Sequence, residues 1–216
     1  MTLPEGVERR RIDEGTVLAT EGEPVYGEPT RKGWRRWDPH RSKLGAMLEL
    51  GVETGLTGGD SVLYLGAATG TTVSHVADFA GPTYAVEFAP RPMRDLVSVA
   101  ESRSNLFPLL ADARRPETYG HVVEADLDAL VQDVATTGQA RVANRNARFL
   151  AADGTLVLAI KARSEDVTRE PAAVFEDALV TLESGYEILE THELDPYHAD
   201  HLAVVATPRD GKTGNQ

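Results

Sequence analysis

The stretch Val62-Leu63-Tyr64-Leu65-Gly66-Ala67-Ala68-Thr69-Gly70-Thr71-Thr72 decides how the rest of the chain reads. Four apolar residues in a row predict a strand buried on both faces. The small residues after them predict a turn that lets backbone approach a ligand, and the two threonines open a helix. The same alternation repeats downstream. Strand-like runs cover 61–65, 83–88, 106–111, 130–133, 155–160, 186–193 and 202–207, with helical spacing over 72–79, 93–102, 117–125, 139–150 and 171–184. Strands alternating with helices make a parallel, doubly wound α/β sheet with right-handed crossovers. Only residues 194–200, with a proline and no helical pattern, separate the last two runs, which therefore pair as an antiparallel hairpin. The expected architecture is a seven-stranded Rossmann-like sheet, mostly parallel, with its last strand antiparallel.

Upstream, β-type pieces at 16–19 and 24–27 amid Gly and Pro predict a small antiparallel N-terminal β domain. Asp38-Pro39 reads as a helix cap with proline at the first helical position. Leu44, Met47 and Leu48 follow at helical spacing up to Gly51, which predicts a helix over 39–50. The chain thus divides into a β domain (1–38), a main domain (39–209) and a tail (210–216) expected to lack order. Its 216 residues, 41% apolar, are enough for one good-sized core. The absence of cysteine removes disulfides, thiolate metal sites and cysteine nucleophiles, and suits a reducing, cytoplasmic compartment. The longest apolar runs, 156–160 and 202–206, are too short for a membrane span, and the first residues carry no basic-then-apolar leader pattern.

Twenty-two Lys and Arg stand against 34 Asp and Glu, a net charge of −12. The basic residues are not spread evenly: residues 31–43 hold six of them with one acid and both tryptophans. This predicts a basic patch for a polyanion on an acidic molecule, with Arg35, Arg36 and Arg41 on phosphates and Trp34 or Trp37 stacking on a base. The other reading of the tryptophans is that they seal the small sheet onto the main domain. Acidic excess with few lysines suits a salt-rich cytoplasm.

The loop after the first strand holds Gly66, Ala67, Gly70, Thr71 and Thr72. A dinucleotide site would want G-x-G-x-x-G, but Ala68 and Thr71 occupy the second and third glycine positions. S-adenosylmethionine, whose methionine end needs backbone polar contacts and no phosphate grip, is the alternative ligand. Glu87, ending the second strand, is placed for a ribose diol and suits either cofactor. Asp112, ending the third, can accept from an adenine amino group and tips the balance towards S-adenosylmethionine.

Taken together, Trp37-Asp-Pro-His-Arg-Ser-Lys-Leu44, the loop from Val62 to Val76, Tyr84-Ala-Val-Glu-Phe-Ala-Pro-Arg-Pro-Met-Arg-Asp-Leu96, Leu110-Ala-Asp-Ala-Arg114, Gln132-Asp-Val-Ala135 and Ala159-Ile-Lys-Ala-Arg-Ser164 resemble the fibrillarin family, most closely its archaeal RNA 2′-O-methyltransferases. The likeness runs in order and spacing from about residue 25 to 206. One departure is Thr136, where the family carries glutamine followed by a Pro-Asn pair. The resemblance implies the methyltransferase form of the sheet, S-adenosyl-L-methionine as cofactor, and a cofactor surface extended by Phe88, Ala113, Asp133, Val134, Ala135 and Thr136. It also implies ribosomal RNA as substrate, with transfer RNA an open second target. A box C/D guide RNA, a Nop-type scaffold protein and a kink-turn-binding ribosomal-type protein are the implied partners.

A ribose 2′-hydroxyl is a poor nucleophile at neutral pH, so transfer needs a group that attracts its proton. Asp133 and Lys161 end neighbouring strands, and their side chains are expected to meet. Lys43 shares a helix stripe with Met47 and Leu50, and His201 opens the reversed last strand beside Lys161. The resemblance implies a Lys-Asp-Lys-His set here on Lys43, Asp133, Lys161 and His201, with His198 the rival for the last role. Arg163, just after Lys161, is the best-placed phosphate contact. Asp195, His198, Asp200 and His201 allow a metal site by composition alone, but strand-turn geometry disfavours one and no metal is expected. A non-catalytic RNA- or protein-binding scaffold on the same fold, and a small-molecule methyltransferase or dehydrogenase, remain the other readings.

Overall fold

The computed structural model describes residues 2–209, so the tail expected to lack order lies outside the described residues. Strands β1 (Val7–Ile12), β2 (Gly15–Glu21), β3 (Thr30–Arg31) and β4 (Trp34–Arg36) form an antiparallel sheet in the order β1-β2-β4-β3. The strand expected over 24–27 is absent. Its place is taken by bends, because the Glu28 carboxylate accepts hydrogen bonds from the Val25 and Tyr26 amides and competes with any ladder.

The larger sheet contains β5 (Val62–Leu65), β6 (Thr83–Glu87), β7 (Leu106–Leu110), β8 (Leu127–Gln132), β9 (Leu150–Lys161), β10 (Tyr186–Glu193) and β11 (His201–Pro208). Its order is β10-β11-β9-β8-β5-β6-β7, and β11 runs antiparallel to both neighbours, as the short connection requires. The helices are α1 (Lys43–Leu50), α2 (Thr71–Phe79), α3 (Pro90–Ala100), α4 (Gln139–Asn146), α5 (Ala162–Glu165) and α6 (Pro171–Leu182).

Alternating side chains go to opposite faces of the sheet. Tyr64, Ala85, Val131 and Val157 pack under α1 and α2, whereas Leu63, Val86, Leu130 and Leu158 pack under α4 and α6. Leu18 and Trp37 of the small sheet's side join the first of these clusters. Trp37 is fully buried and stacks on His75 of α2, with ring centroids 4.7 Å apart, so it seals the small sheet onto the large one rather than offering a base-stacking surface.

Two expected helices differ. Over 117–125 there is only a 3₁₀ turn (Pro116–Thr118) and irregular chain. Tyr119 and Val123 bury a single i, i+4 pair around Gly120, too short an apolar stripe to pay the cost of helix nucleation. The helix expected over 39–50 starts four residues late, at Lys43. Asp38 is spent on the His40 amide (3.0 Å), and the Ser42 hydroxyl is the cap that accepts from Gly45 (3.0 Å).

Candidate active site

Turns leaving the carboxyl ends of β5, β6, β7 and β8 enclose a cavity of about 280 Å³. Gly66 sits at φ +85°, and a Cβ there would lie 2.2 Å from the Asp133 carbonyl oxygen, so only glycine lets the ends of β5 and β8 approach this closely. Glu87, 6% exposed, accepts from the Ala68 amide (3.0 Å) and the Ala89 amide (2.8 Å), which fixes both carboxylate oxygens and leaves each a free lone pair. The neighbouring Phe88 ring is 70% exposed. Beyond β7, Asp112 is gripped by the amide and guanidinium of Arg114 at 2.7 to 3.0 Å; these bonds hold its carboxyl below the usual range. Ala113, Val134, Ala135 and Thr136 add to the lining.

At one end of this cavity lies Asp133, whose amide donates to Leu65 on β5 (2.9 Å). Its carboxylate pairs with the Lys43 ammonium at 2.9 Å, both side chains one-quarter exposed. The expected meeting of Asp133 with Lys161 is therefore corrected. The Asp133 carboxylate takes Lys43 at the start of α1 instead, and among the described residues no ion pair joins it to Lys161. Lys161 ends β9 and lies opposite His201 in the β9–β11 register. The His201 Nδ1–H donates to the Ala199 carbonyl (2.7 Å), which leaves Nε2 with the lone pair; that atom is buried and has no partner among the described residues. Burial pushes the His201 imidazole below its ordinary value, aided by Lys43 and His198 and opposed by Asp133 and the Ala199 carbonyl. His198 spends Nε2–H on the Pro39 carbonyl (2.8 Å), so it offers less than His201 does. Among the described residues no three His, Asp or Glu side chains are placed to hold a metal.

The family model for fibrillarin matches residues 7–210. The chain belongs to the fibrillarin family. A fibrillarin-like rRNA/tRNA 2′-O-methyltransferase of Halorubrum lacusprofundi is 73% identical over 207 residues, covering 96% of this chain and 98% of that one. Among solved structures, a fibrillarin/Nop5p complex superposes with a TM-score of 0.88 at 38% identity, over 97% of this chain and 100% of its own. Aeropyrum pernix fibrillarin with natively bound S-adenosyl-L-methionine gives 0.80 at 45% identity, over 89% and 90%.

Within this fibrillarin-family chain, the expected cofactor residues separate into two groups. Gly66, Glu87, Phe88, Asp112, Ala113 and the segment from Asp133 to Thr136 line the cavity. Ala67, Gly70, Thr71 and Thr72 do not; Thr72 is buried and its hydroxyl donates to Ser42 (3.1 Å), joining α2 to the cap of α1. The expected RNA contacts divide too. Arg35 is a correction: it is fully buried, its guanidinium bonded to Glu28 (2.5 Å), Asp78 (2.7 Å) and Ser74 (2.9 Å), so it cannot reach a phosphate. Arg36 is half-buried near Asp38 (3.8 Å), Arg41 is exposed over the Tyr26 ring (4.5 Å), and Arg163 is exposed but paired with Asp200 (3.0 Å). Sequence reasoning gave no role to Gln139 or Arg114. Arg114, two residues after a strand-end acid, carried a readable ion-pair signal; Gln139 did not.

Proposed function

We propose that this chain transfers a methyl group from S-adenosyl-L-methionine to ribose 2′-hydroxyls of ribosomal RNA, and of transfer RNA, as the catalytic subunit of a box C/D ribonucleoprotein. The observation that supports this reading is a cavity lined by Glu87, Asp112 and Asp133, with the Asp133 carboxylate paired to Lys43 and with His201 opposite Lys161 and within electrostatic reach of both Lys43 and Asp133. The activity named for the Halorubrum lacusprofundi relative and the S-adenosyl-L-methionine bound by Aeropyrum pernix fibrillarin agree with it. The glycine-tight wall at Gly66, the fixed carboxylate of Glu87 and the ionised Asp112 fit an adenosyl group with no pyrophosphate. When bound, the cofactor supplies an electrophilic methyl group on a sulfonium.

The chain's own groups do the rest. Glu87 accepts from the ribose diol, Asp112 from the adenine amino group, and Phe88 offers a flat apolar face. The ammonium of Lys161 orients the target hydroxyl and favours its loss of a proton, while the Lys43–Asp133 pair fixes the Asp133 carboxylate at the cavity. His201, with its tautomer fixed by Ala199, receives the proton at Nε2. Arg41 and Arg163 contact phosphates at the rim. Site choice comes from the guide RNA, carried with a Nop-type scaffold and a kink-turn-binding protein, since the basic stretch lacks the extent of an RNA-recognition module. The same reading places the chain in the cytoplasm; no helix among the described residues is long and apolar enough to cross a membrane.

Calorimetry with S-adenosylmethionine and with NAD, followed by methylation assays on the chain alone and on the assembled complex, tests the reading. Binding of S-adenosylmethionine, with selective transfer only in the complex, is expected. Tight NAD binding without a response to S-adenosylmethionine would refute it.

A further inference from the structure

β9 runs three residues beyond the last rung it shares with β8, which pairs Gln132 with Leu158. At Lys161 the strand on that side has already turned away. On the other side Ala162 donates to Asp200 (3.0 Å), so both backbone polar groups of Lys161 face the gap left by β8. Left bare inside the protein they would be costly. The Gln139 side chain fills the gap. Its Oε1 accepts from the Lys161 amide (2.9 Å) and its Nε2 donates to the Lys161 carbonyl (3.1 Å), the two-point pairing a neighbouring strand would have made.

The remaining polar atoms of Gln139 are also engaged. Nε2 donates to Glu165 (3.0 Å), the backbone amide donates to the same carboxylate (2.6 Å), and the backbone carbonyl accepts from Gln132 (2.9 Å). Glu165, four residues after Lys161, also accepts from Gly138 (2.7 Å) and so caps α4, whose N-cap glycine has no side chain to do this. Gln139 is fully buried. The loop between Gln132 and Gln139 is the one that lines the cavity from Asp133 to Thr136. Its far end is thus bolted to the backbone of Lys161.

The geometry points to Gln139 as a positioning residue for methyl transfer: its carboxamide replaces a missing strand and sets where Lys161 stands relative to Asp133 and His201. This rests on the role proposed above for Lys161 and deepens it. A lysine whose backbone can shift or rotate presents its ammonium to the target hydroxyl less often, and misplacement on the ångström scale costs on the order of 10- to 100-fold in rate.

The test uses single-turnover transfer in the fully assembled complex at saturating S-adenosylmethionine. Gln139→Met keeps length and burial but removes the pairing, and is expected to slow transfer about tenfold or more with cofactor affinity nearly unchanged. Gln139→Glu supplies the signature a merely structural role lacks. As a carboxylate, the new group keeps an acceptor for the Lys161 amide but loses the donor to its carbonyl and faces Glu165. Once protonated, it can act as donor and acceptor again. The other charged groups at the neighbouring cleft are Arg141, Asp166, Arg169 and Asp177. The rate of Gln139→Glu relative to wild type is therefore expected to rise as pH falls. Should Gln139→Met not fold, the Gln139→Glu profile decides alone. Wild-type rates in Gln139→Met, a loss explained wholly by cofactor affinity, or a pH-independent ratio for Gln139→Glu would overturn the inference. Lys161→Ala serves as the reference. If it transfers normally, the role of Lys161 itself is wrong, whereas an inactive Lys161→Ala beside a fully active Gln139→Met rejects the Gln139 clamp alone.

Discussion

Replacing Arg35 by alanine should damage the fold and leave RNA contacts alone, although the residue lies in the most basic stretch of the chain. Its side chain is fully buried and bridges Glu28 at 2.5 Å and Asp78 at 2.7 Å, two carboxylates whose own side chains are 1% and 3% exposed. Removing one partner of such a pair strands the other, at a cost of about 3–5 kcal/mol. Here the stranded groups keep some support. Glu28 retains the Val25 and Tyr26 amides, while Asp78 retains Arg103 at 3.0 Å and the Thr20 hydroxyl at 2.7 Å. The lower end, about 3 kcal/mol, is the figure the structure supports. For a chain of this length that is a fall in Tm of about 6–12 °C. Thermal unfolding followed by circular dichroism in concentrated KCl measures it. Arg41→Ala, an exposed cation over Tyr26, serves as the control and should shift stability by no more than about 0.5 kcal/mol. An Arg35→Ala protein that melts like wild type, yet loses cross-linking to RNA in the complex, would refute the reasoning.

Four further outcomes follow from the site. Lys161→Ala should slow single-turnover transfer by about 10²-fold or more while S-adenosylmethionine affinity stays within about threefold, since the role proposed for the lysine is on the hydroxyl and not on the cofactor; calorimetry and rapid-quench assays separate the two. Asp133→Asn should weaken both, because Asp133 lines the cavity and its carboxylate holds Lys43; cofactor affinity equal to wild type would count against this. The transfer rate should fall only below the ordinary histidine range near pH 6.5, since burial depresses His201 and keeps Nε2 free to lower pH; a profile that survives His201→Gln unchanged removes His201 from the proton path. Stability should also drop in acid. Burial, then Arg35 and Arg103, hold His75 well below 6.5, so the unfolded chain binds its proton first, and stability present above about pH 6.5 is lost as pH falls towards the folded value. The slope is at most about 1.4 kcal/mol per pH unit from this residue, with His198 and His201 acting in the same direction and Asp78 in the opposite one. Urea midpoints across pH should show a shallower slope in His75→Gln.

The strands of the large sheet were legible because parallel strands buried on both faces read as unbroken apolar runs, and Val62–Leu65 and Thr83–Glu87 end within a residue of where the pattern ends. The reversed β11 was legible for a covalent reason: seven residues with a proline cannot carry a crossover helix. The start of α1 was not legible, because Asp38 and Ser42 are both good caps and local preference cannot choose between them. The fold chooses Ser42 by giving its hydroxyl a second partner in Thr72, thirty residues away.

That choice also decides the chemistry of the site. The adjacency of strands four and five makes Asp133 and Lys161 look like partners, and the two residues do sit on neighbouring strands. A pairing, however, depends on which way the backbone leaves each strand, and this is set by contacts that local sequence does not display. Asp133 continues the ladder to β5 by donating to Leu65, and Lys161 stays in line where the Gln139 carboxamide supplies the rung that β8 no longer provides. Asp133 takes Lys43, ninety residues earlier, and among the described residues no carboxylate forms an ion pair with Lys161. Had the simpler pairing formed, Lys161 would be a rim salt bridge with its charge already spent. The role proposed for Lys161, an ammonium acting on a ribose hydroxyl, needs that charge unspent, so the expected contact that failed to form bears more on the proposal than the sheet that formed as expected.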